Sequence, residues 1–256
     1  MPALISFALF ALGAIVASFV GVLAARLNTG QSFLSGRSRC DACAAPLPPG
    51  ALVPIISYIV SGGRSLCCGA LLSLYAPLSE FLLGGLFVLA YLRLGLTLSL
   101  LLMGVAFSAL LALVLYDLAH QILPPMLLIV FVVASAVFRF FLMPSLPEFL
   151  QTFFVALGIA AFLALIHLLS RGRAMGLADA PLAFGLALLT GPAALPGFIF
   201  SFWLGALIGI KLLLKKPVGS RMGVEVPFAP YLAAGFLLAY FTQWNPFALI
   251  ATFATF

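Results

Sequence analysis

Residues 96–117 read LTLSLLLMGVAFSALLALVLYD, and the one charge in the stretch is Asp117 at its end. A run this apolar finds no stable place on the surface of a water-soluble domain. It matches the roughly 20 residues that a helix needs to cross a bilayer. The stretch therefore predicts a membrane span that ends on a carboxylate. Working outward, uncharged runs separated by Gly, Pro and charged residues predict further helices near 3–25, 74–94, 126–143, 149–170, 176–191, 197–214 and 226–243. The uncharged run 180–210 reads as one kinked helix or as two, and Gly191-Pro192 and Pro196-Gly197 favour a turn within it. No internal repeat is evident.

Composition agrees with this pattern. Of the 256 residues, 65% are hydrophobic and 7% charged, too few charges to hold a folded domain of this size in water. The expected fold is all-α and polytopic, with about eight transmembrane helices. It divides into a first span at 1–25, a loop at 26–73 that holds every cysteine, and a seven-helix membrane domain at 74–256. No basic segment precedes the first apolar run and no small-residue cleavage site follows it, so it is read as a span and not as a removable signal.

The net charge of +6 is explained by orientation and not by nucleic acid. With the amino terminus outside, the inner connections hold Arg26, Arg37, Arg39, Arg64, Arg171, Arg173, Lys211, Lys215, Lys216 and Arg221. Only Arg93 and Arg139 fall near the outer face. This asymmetry predicts a cytoplasmic 26–73 loop and both chain ends outside.

The six acidic residues are few enough to weigh singly. Asp41, Glu148 and Glu225 lie in or beside connections, where hydration accounts for them. Asp117 ends the third span and Asp179 opens the sixth, which puts both at the cytoplasmic edge of the membrane. Either alone could be an ordinary helix-end residue, and Asp179, two residues before Pro181, could simply cap its helix. Two carboxyls at one depth on nonadjacent spans point instead to acid–base chemistry. Amide hydrolysis needs one ionised carboxyl to take a proton from water and one protonated carboxyl to polarise the carbonyl. Two close carboxyls in a poorly hydrated site do not both ionise readily, which supplies both states. Proteolysis of this kind requires no cofactor. His120, just past the third span, and His167, near the end of the fifth, read as structural or interfacial. Glu80, about two turns into the second span, reads either as a functional carboxylate or as a hydrogen-bond partner for a neighbouring helix.

The ordered motifs resemble the type IV prepilin peptidases, membrane aspartic proteases of the G-x-G-D class. The resemblance rests on Ala17-Ser18-Phe19 with Arg26-Leu27, Cys40-Asp41-Ala42-Cys43, Pro54-Ile55-Ile56-Ser57-Tyr58 and Tyr75-Ala76-Pro77-Leu78-Ser79-Glu80. It continues through Asp117 with Leu123-Pro124, Gly176-Leu177-Ala178-Asp179 and Val226-Pro227-Phe228-Ala229-Pro230-Tyr231. It implies that Asp117 and Asp179 are catalytic and that the substrates are prepilins or pseudopilins in the inner membrane. It also implies N-methylation of the new amino terminus from S-adenosylmethionine, with Glu80 the residue nearest that activity. No glycine-rich strand-to-helix fingerprint in 26–73 independently marks a nucleotide site. Ala178 replaces a glycine, Pro181 a lysine, Pro125 an acidic residue and Ala229 a glycine of the family pattern.

Two C-x-x-C pairs would read as a structural zinc site, but this loop has one pair, Cys40 and Cys43, followed by the adjacent Cys67 and Cys68. Ser65 stands where the resembling proteins have their other cysteine. Neighbouring side chains are expected to diverge, so four-cysteine zinc binding, free thiols or partial metal binding, and a vicinal disulfide all remain readings of the loop. A small transporter using the same two aspartates for protons or cations is the main alternative function. A purely structural membrane subunit is the third.

Overall fold

The computed structural model describes residues 1–30, 32, 37–40, 42–143, 145–215 and 227–246. Asp41, Lys216, Arg221, Glu225 and Val226 lie outside the described residues. Among the described residues the regular structure is helical, with two isolated β-bridges in the cysteine loop. The helices are α1 (Pro2–Arg26), α2 (Ile56–Val60), α3 (Tyr75–Leu94), α4 (Leu98–His120), α5 (Pro125–Leu142), α6 (Leu146–Leu169), α7 (Asp179–Thr190), α8 (Ala194–Lys215) and α9 (Ala229–Thr242). This outcome follows from the solvent, because a chain in hydrocarbon must satisfy its backbone N–H and C=O groups within each segment. Several starts are set by proline in the first turn, where its missing N–H costs nothing, as at Pro2 and Pro125.

Helices stand at all eight expected places. Among the described residues six stretches are long and apolar enough to cross a membrane: α1, α3, α4, α5, α6 and the run Asp179–Lys211. That last run is broken by a 3-10 turn at Gly191–Ala193. The expected break is therefore present, at Gly191-Pro192, whereas Pro196-Gly197 lies inside the first turn of α8. At about 1.5 Å per residue, the 12 residues of α7 and the 14 of α9 fall short of the roughly 30 Å hydrocarbon thickness.

The chain divides into two compact units, Met1–Leu100 and Leu101–Phe256. In the first, α3 packs along α1, although the sequence reading groups α3 with the later helices. The facing residues are small. A Cβ added to Gly13 would lie 2.8 Å from the Cα of Gly84, and one added to Gly84 would lie 2.8 Å from the carbonyl oxygen of Phe10. Such contacts let two backbones approach closely where apolar lipid offers no hydrophobic drive to associate.

In the second unit α7 is central, packing against α5, α6, α8 and α9. Its residues from Leu182 onward are nearly all buried, with no polar face to present. Its C-terminal end is held by Arg139, which sequence reading puts near the outer face but which is buried here. Arg139 donates from Nε to the Leu188 carbonyl at 2.8 Å, a favourable place for a cation because the last helical carbonyls carry partial negative charge. The guanidinium occupies the space that a Cβ on Gly191 would need, and Gly191 has φ of +58°, so only glycine fits at the break.

Gly13→Ala should lower the thermal midpoint of the purified protein, with an overpacking cost of about 1–3 kcal/mol. Gly21→Ala should leave it unchanged, because a Cβ there meets nothing within 4 Å. Equal midpoints for the two variants would contradict the close α1–α3 approach.

Candidate active site and cysteine cluster

Asp117 lies in the last turn of α4 and Asp179 is the first residue of α7. Both are buried, at 6% and 7% exposure, and each is connected to the start of a helix. The Ala229 amide, at the first position of α9, donates to Oδ2 of Asp117 at 3.2 Å. That amide is one of the donors a helix start leaves without an internal partner, so the carboxylate satisfies it and faces the positive end of the helix dipole. The Asp179 amide donates to the Gly176 carbonyl at 3.3 Å, closing the turn that leads into α7.

The two carboxyls, 62 positions apart in sequence, lie close enough for each to feel the other's charge. His167 takes the structural one of its two sequence readings. Its Nδ1 lies 2.9 Å from the Met175 carbonyl, pinning the segment just before the Gly176 turn. The Ala229 amide is the member of this site that reasoning from side-chain types passes over. Its only sequence signal is the Phe228-Ala229-Pro230 start. His120 instead stacks beside Tyr116, with ring centroids 4.4 Å apart, which fits a structural role.

The departures at the site are accommodated. Ala178 has φ of −68° and ψ of −17°, an ordinary right-handed conformation that needs no glycine. Pro181 stands in the first turn of α7 and Pro125 at the first position of α5, where proline is tolerated. Ala229 contributes only its backbone amide.

Glu80 is buried in α3. Its Oε2 accepts the Ile55 amide at 2.7 Å, and it is hydrogen-bonded to Ser18 of α1. It thus makes the bond to a neighbouring helix that is one of its two sequence readings.

The cysteines converge, against the expectation that Cys67 and Cys68 diverge. All four sulfur atoms lie within 4.8 Å of one another. The reason is that the loop makes the same turn twice. In the first, the Cys40 amide donates to the Ala45 carbonyl and the Ala44 amide to the Cys40 carbonyl. In the second, the Ser65 amide donates to Ala70 and the Gly69 amide to Ser65. Ala44 and Gly69 have matching φ values of 57° and 70°. Ser65 thus occupies the place of Cys40, Cys68 the place of Cys43, and Cys67 supplies the sulfur that Ser65 lacks. Sγ of Cys40 lies 3.7 Å from that of Cys68, and Sγ of Cys43 lies 3.2 Å from that of Cys67. A tetrahedral ion with bonds of about 2.3 Å to sulfur holds its ligands about 3.8 Å apart, so the donor set fits a thiophilic metal. The Ser65 hydroxyl, 3.2 Å from the Cys40 sulfur, and the Cys43 and Ala42 amides hold the Cys40 thiol down to about 6. The Ala45 amide also lowers Cys43, but hydrogen bonding with Cys67 and burial outweigh it and push that thiol up to about 12.

With this geometry in view, two family descriptions match consecutive parts of the chain. The bacterial peptidase A24 N-terminal domain matches residues 11–94 and the type IV leader peptidase family matches residues 104–210. A prepilin leader peptidase/N-methyltransferase of Bacillus subtilis is 31% identical over 233 residues, covering 91% of this chain and 92% of the relative. The chain belongs to the type IV leader peptidase family. Proteins of the same name from Myxococcus xanthus and Pseudomonas aeruginosa are 33% and 29% identical, covering 80% and 77% of this chain and 62% and 68% of their own lengths. No solved structure matches. This type IV leader peptidase is a multi-pass membrane protein, and the two family matches meet close to the boundary between its compact units.

Purified protein should carry about one equivalent of a thiophilic metal ion, lost on Cys40→Ser, as expected of a single four-sulfur site. Metal analysis showing none, with the loop folded by hydrogen exchange, would reject metal binding by the cluster.

Proposed function

We propose that this chain is an aspartic endopeptidase that removes the basic leader from prepilin or pseudopilin precursors, with Asp117 and Asp179 as its catalytic pair. The observation that carries the proposal is that two carboxyls are buried at the ends of separate helices, close enough to feel one another's charge. The family and the curated relatives' names support the substrate class.

The chemistry follows from the pair. The ionised carboxyl takes a proton from water as its oxygen attacks the scissile carbonyl carbon. The protonated carboxyl donates to the carbonyl oxygen, giving a tetrahedral intermediate. As the intermediate collapses, a hydroxyl proton returns to the carboxyl that had donated it and the C=O bond re-forms, while the C–N bond breaks and the leaving nitrogen receives the proton taken from water. The carboxyls end with one proton between them, as they began. Neither role is fixed to one residue.

We place the site at the cytoplasmic edge of the inner membrane, with both chain ends outside. Two features support this orientation: the excess of Lys and Arg in the connections on one side, and the location of both carboxyls at helix ends. A substrate with a short basic leader would then present its scissile bond where its helix leaves the hydrocarbon. An intact helix hides its amides, so glycine before the cut lowers the cost of opening it.

Methyl transfer to the new amino terminus, an activity in the relatives' names, would draw its methyl group from S-adenosylmethionine. We assign it to the first unit, where Glu80 fixes the loop. Cys40, Cys43, Cys67 and Cys68 would hold a zinc ion with no open position, which makes it a brace for the loop and not a reactant.

Asp117→Asn and Asp179→Asn should each abolish cleavage of a prepilin-like substrate by protein in nanodiscs, while expression and insertion stay intact. Each change removes an acid–base group at constant side-chain volume. Substantial cleavage by either variant would reject the pair.

A further inference from the structure

The cysteine loop carries an apolar face that the fold leaves uncovered, and the depth at which that face is held identifies its partner. In α2, Ile56, Ile59 and Val60 are 60%, 71% and 81% exposed. Their i, i+3, i+4 spacing puts them on one side of the helix. Ser57 and Tyr58 on the other side are half-buried. Leu52 and Val53, both exposed, extend the face toward the preceding turn.

The segment does not hang free. Ile55 has φ of 61° and ψ of −52°, and the Ile56 amide bonds back to the Pro54 carbonyl. This is the rare left-handed γ-turn, a strained conformation for a β-branched residue. Such a turn persists only where its surroundings hold it. Here the hold is the Ile55 amide donated to Oε2 of Glu80 at 2.7 Å, with Glu80 also bonded to Ser18 of α1.

This bond sets the depth. Glu80 is five residues beyond Tyr75, the first residue of α3, or about 7.5 Å along the helix axis at roughly 1.5 Å per residue. The 20 residues of α3 span about 30 Å, the thickness of the hydrocarbon core. Side chains lean toward the start of their helix, so the Ile55 amide lies level with the first turns of α3 and not beyond its end. Interfacial helices lie with their apolar faces about 5–10 Å into the boundary between headgroups and acyl chains. Charge points to the same partner. Residues 26–73 hold Arg26, Arg37, Arg39 and Arg64 against Asp41 alone, and Arg37, Arg39 and Arg64 are exposed, suited to anionic phosphates.

We propose that residues 52–60 form a foot lodged in the bilayer interface of the leaflet where α3 begins. Ile56, Ile59 and Val60 enter the acyl chains, and Glu80 is the positioning residue that fixes their depth. The foot fastens the cysteine turns to the membrane surface at a constant height.

The test uses the full chain in nanodiscs containing phosphatidylglycerol, with Trp203 and Trp244 replaced by Phe and one new reporter, Ile59→Trp or Val60→Trp. Bromines near the glycerol end of the acyl chains should quench either reporter strongly, bromines near the chain ends less, and acrylamide poorly. Adding Glu80→Ala should reverse this order, and Glu80→Gln, which keeps an acceptor for the Ile55 amide, should restore it. Reporters open to acrylamide and indifferent to brominated lipid would overturn the proposal, as would quenching that Glu80→Ala leaves unchanged. If the face were instead a seat for a substrate helix, substrate-free nanodiscs would give the first of these contrary results. The readout needs no cleavage, so it is independent of the peptidase assignment.

Discussion

Hydrocarbon offers a polar group no partner, and this constraint organises the whole chain. Backbone groups meet it by forming helices. Three buried ionisable side chains meet it by bonding to backbone groups at or beside helix ends. Asp117 accepts an amide at the start of α9 and Arg139 donates to a carbonyl at the end of α7. Glu80 accepts the amide of Ile55, the residue preceding α2. Each ionisable group thus also acts as a joint between chain segments distant in sequence.

This accounts for where chemistry can occur. A carboxyl in mid-span would have neither water nor a partner, whereas one at a helix end has both within reach. The short helix α7 is suited to presenting such a group. Close packing surrounds it, Arg139 and Gly191 fix its far end, and His167 pins the segment leading to its first residue, Asp179. Asp179 therefore belongs to a closely packed element even though it lies at an edge.

Much of this was legible in the sequence because hydropathy and helix breakers act locally. The 96–117 run, the break at Gly191-Pro192 and the isolation of Asp117 and Asp179 among so few acids each follow from a short window. Long-range pairing left weaker marks. Nothing local shows that Ala229 would give its amide to a residue 112 positions earlier. Nor does Arg139, three residues from the end of its span, reveal that it turns inward to a carbonyl of α7. The cysteines misled for a related reason. Cys67-Cys68 reads as a defective pair until the repeated turn shows Ser65 in the equivalent place and Cys67 replacing its sulfur. The packing of α3 on α1 depended on Gly13 and Gly84 facing one another, a match between two segments and not a property of either.

A pair of carboxyls at the cytoplasmic edge, as we propose, would also limit which bond can be broken, and this limit tests the account most directly. Purified protein in nanodiscs should be incubated with a prepilin-like substrate and the new amino terminus read by mass spectrometry. The account predicts a single cut between the basic leader and an intact hydrophobic segment. A cut within that segment, or on its far side, would contradict the placement of Asp117 and Asp179 as the catalytic pair at that edge.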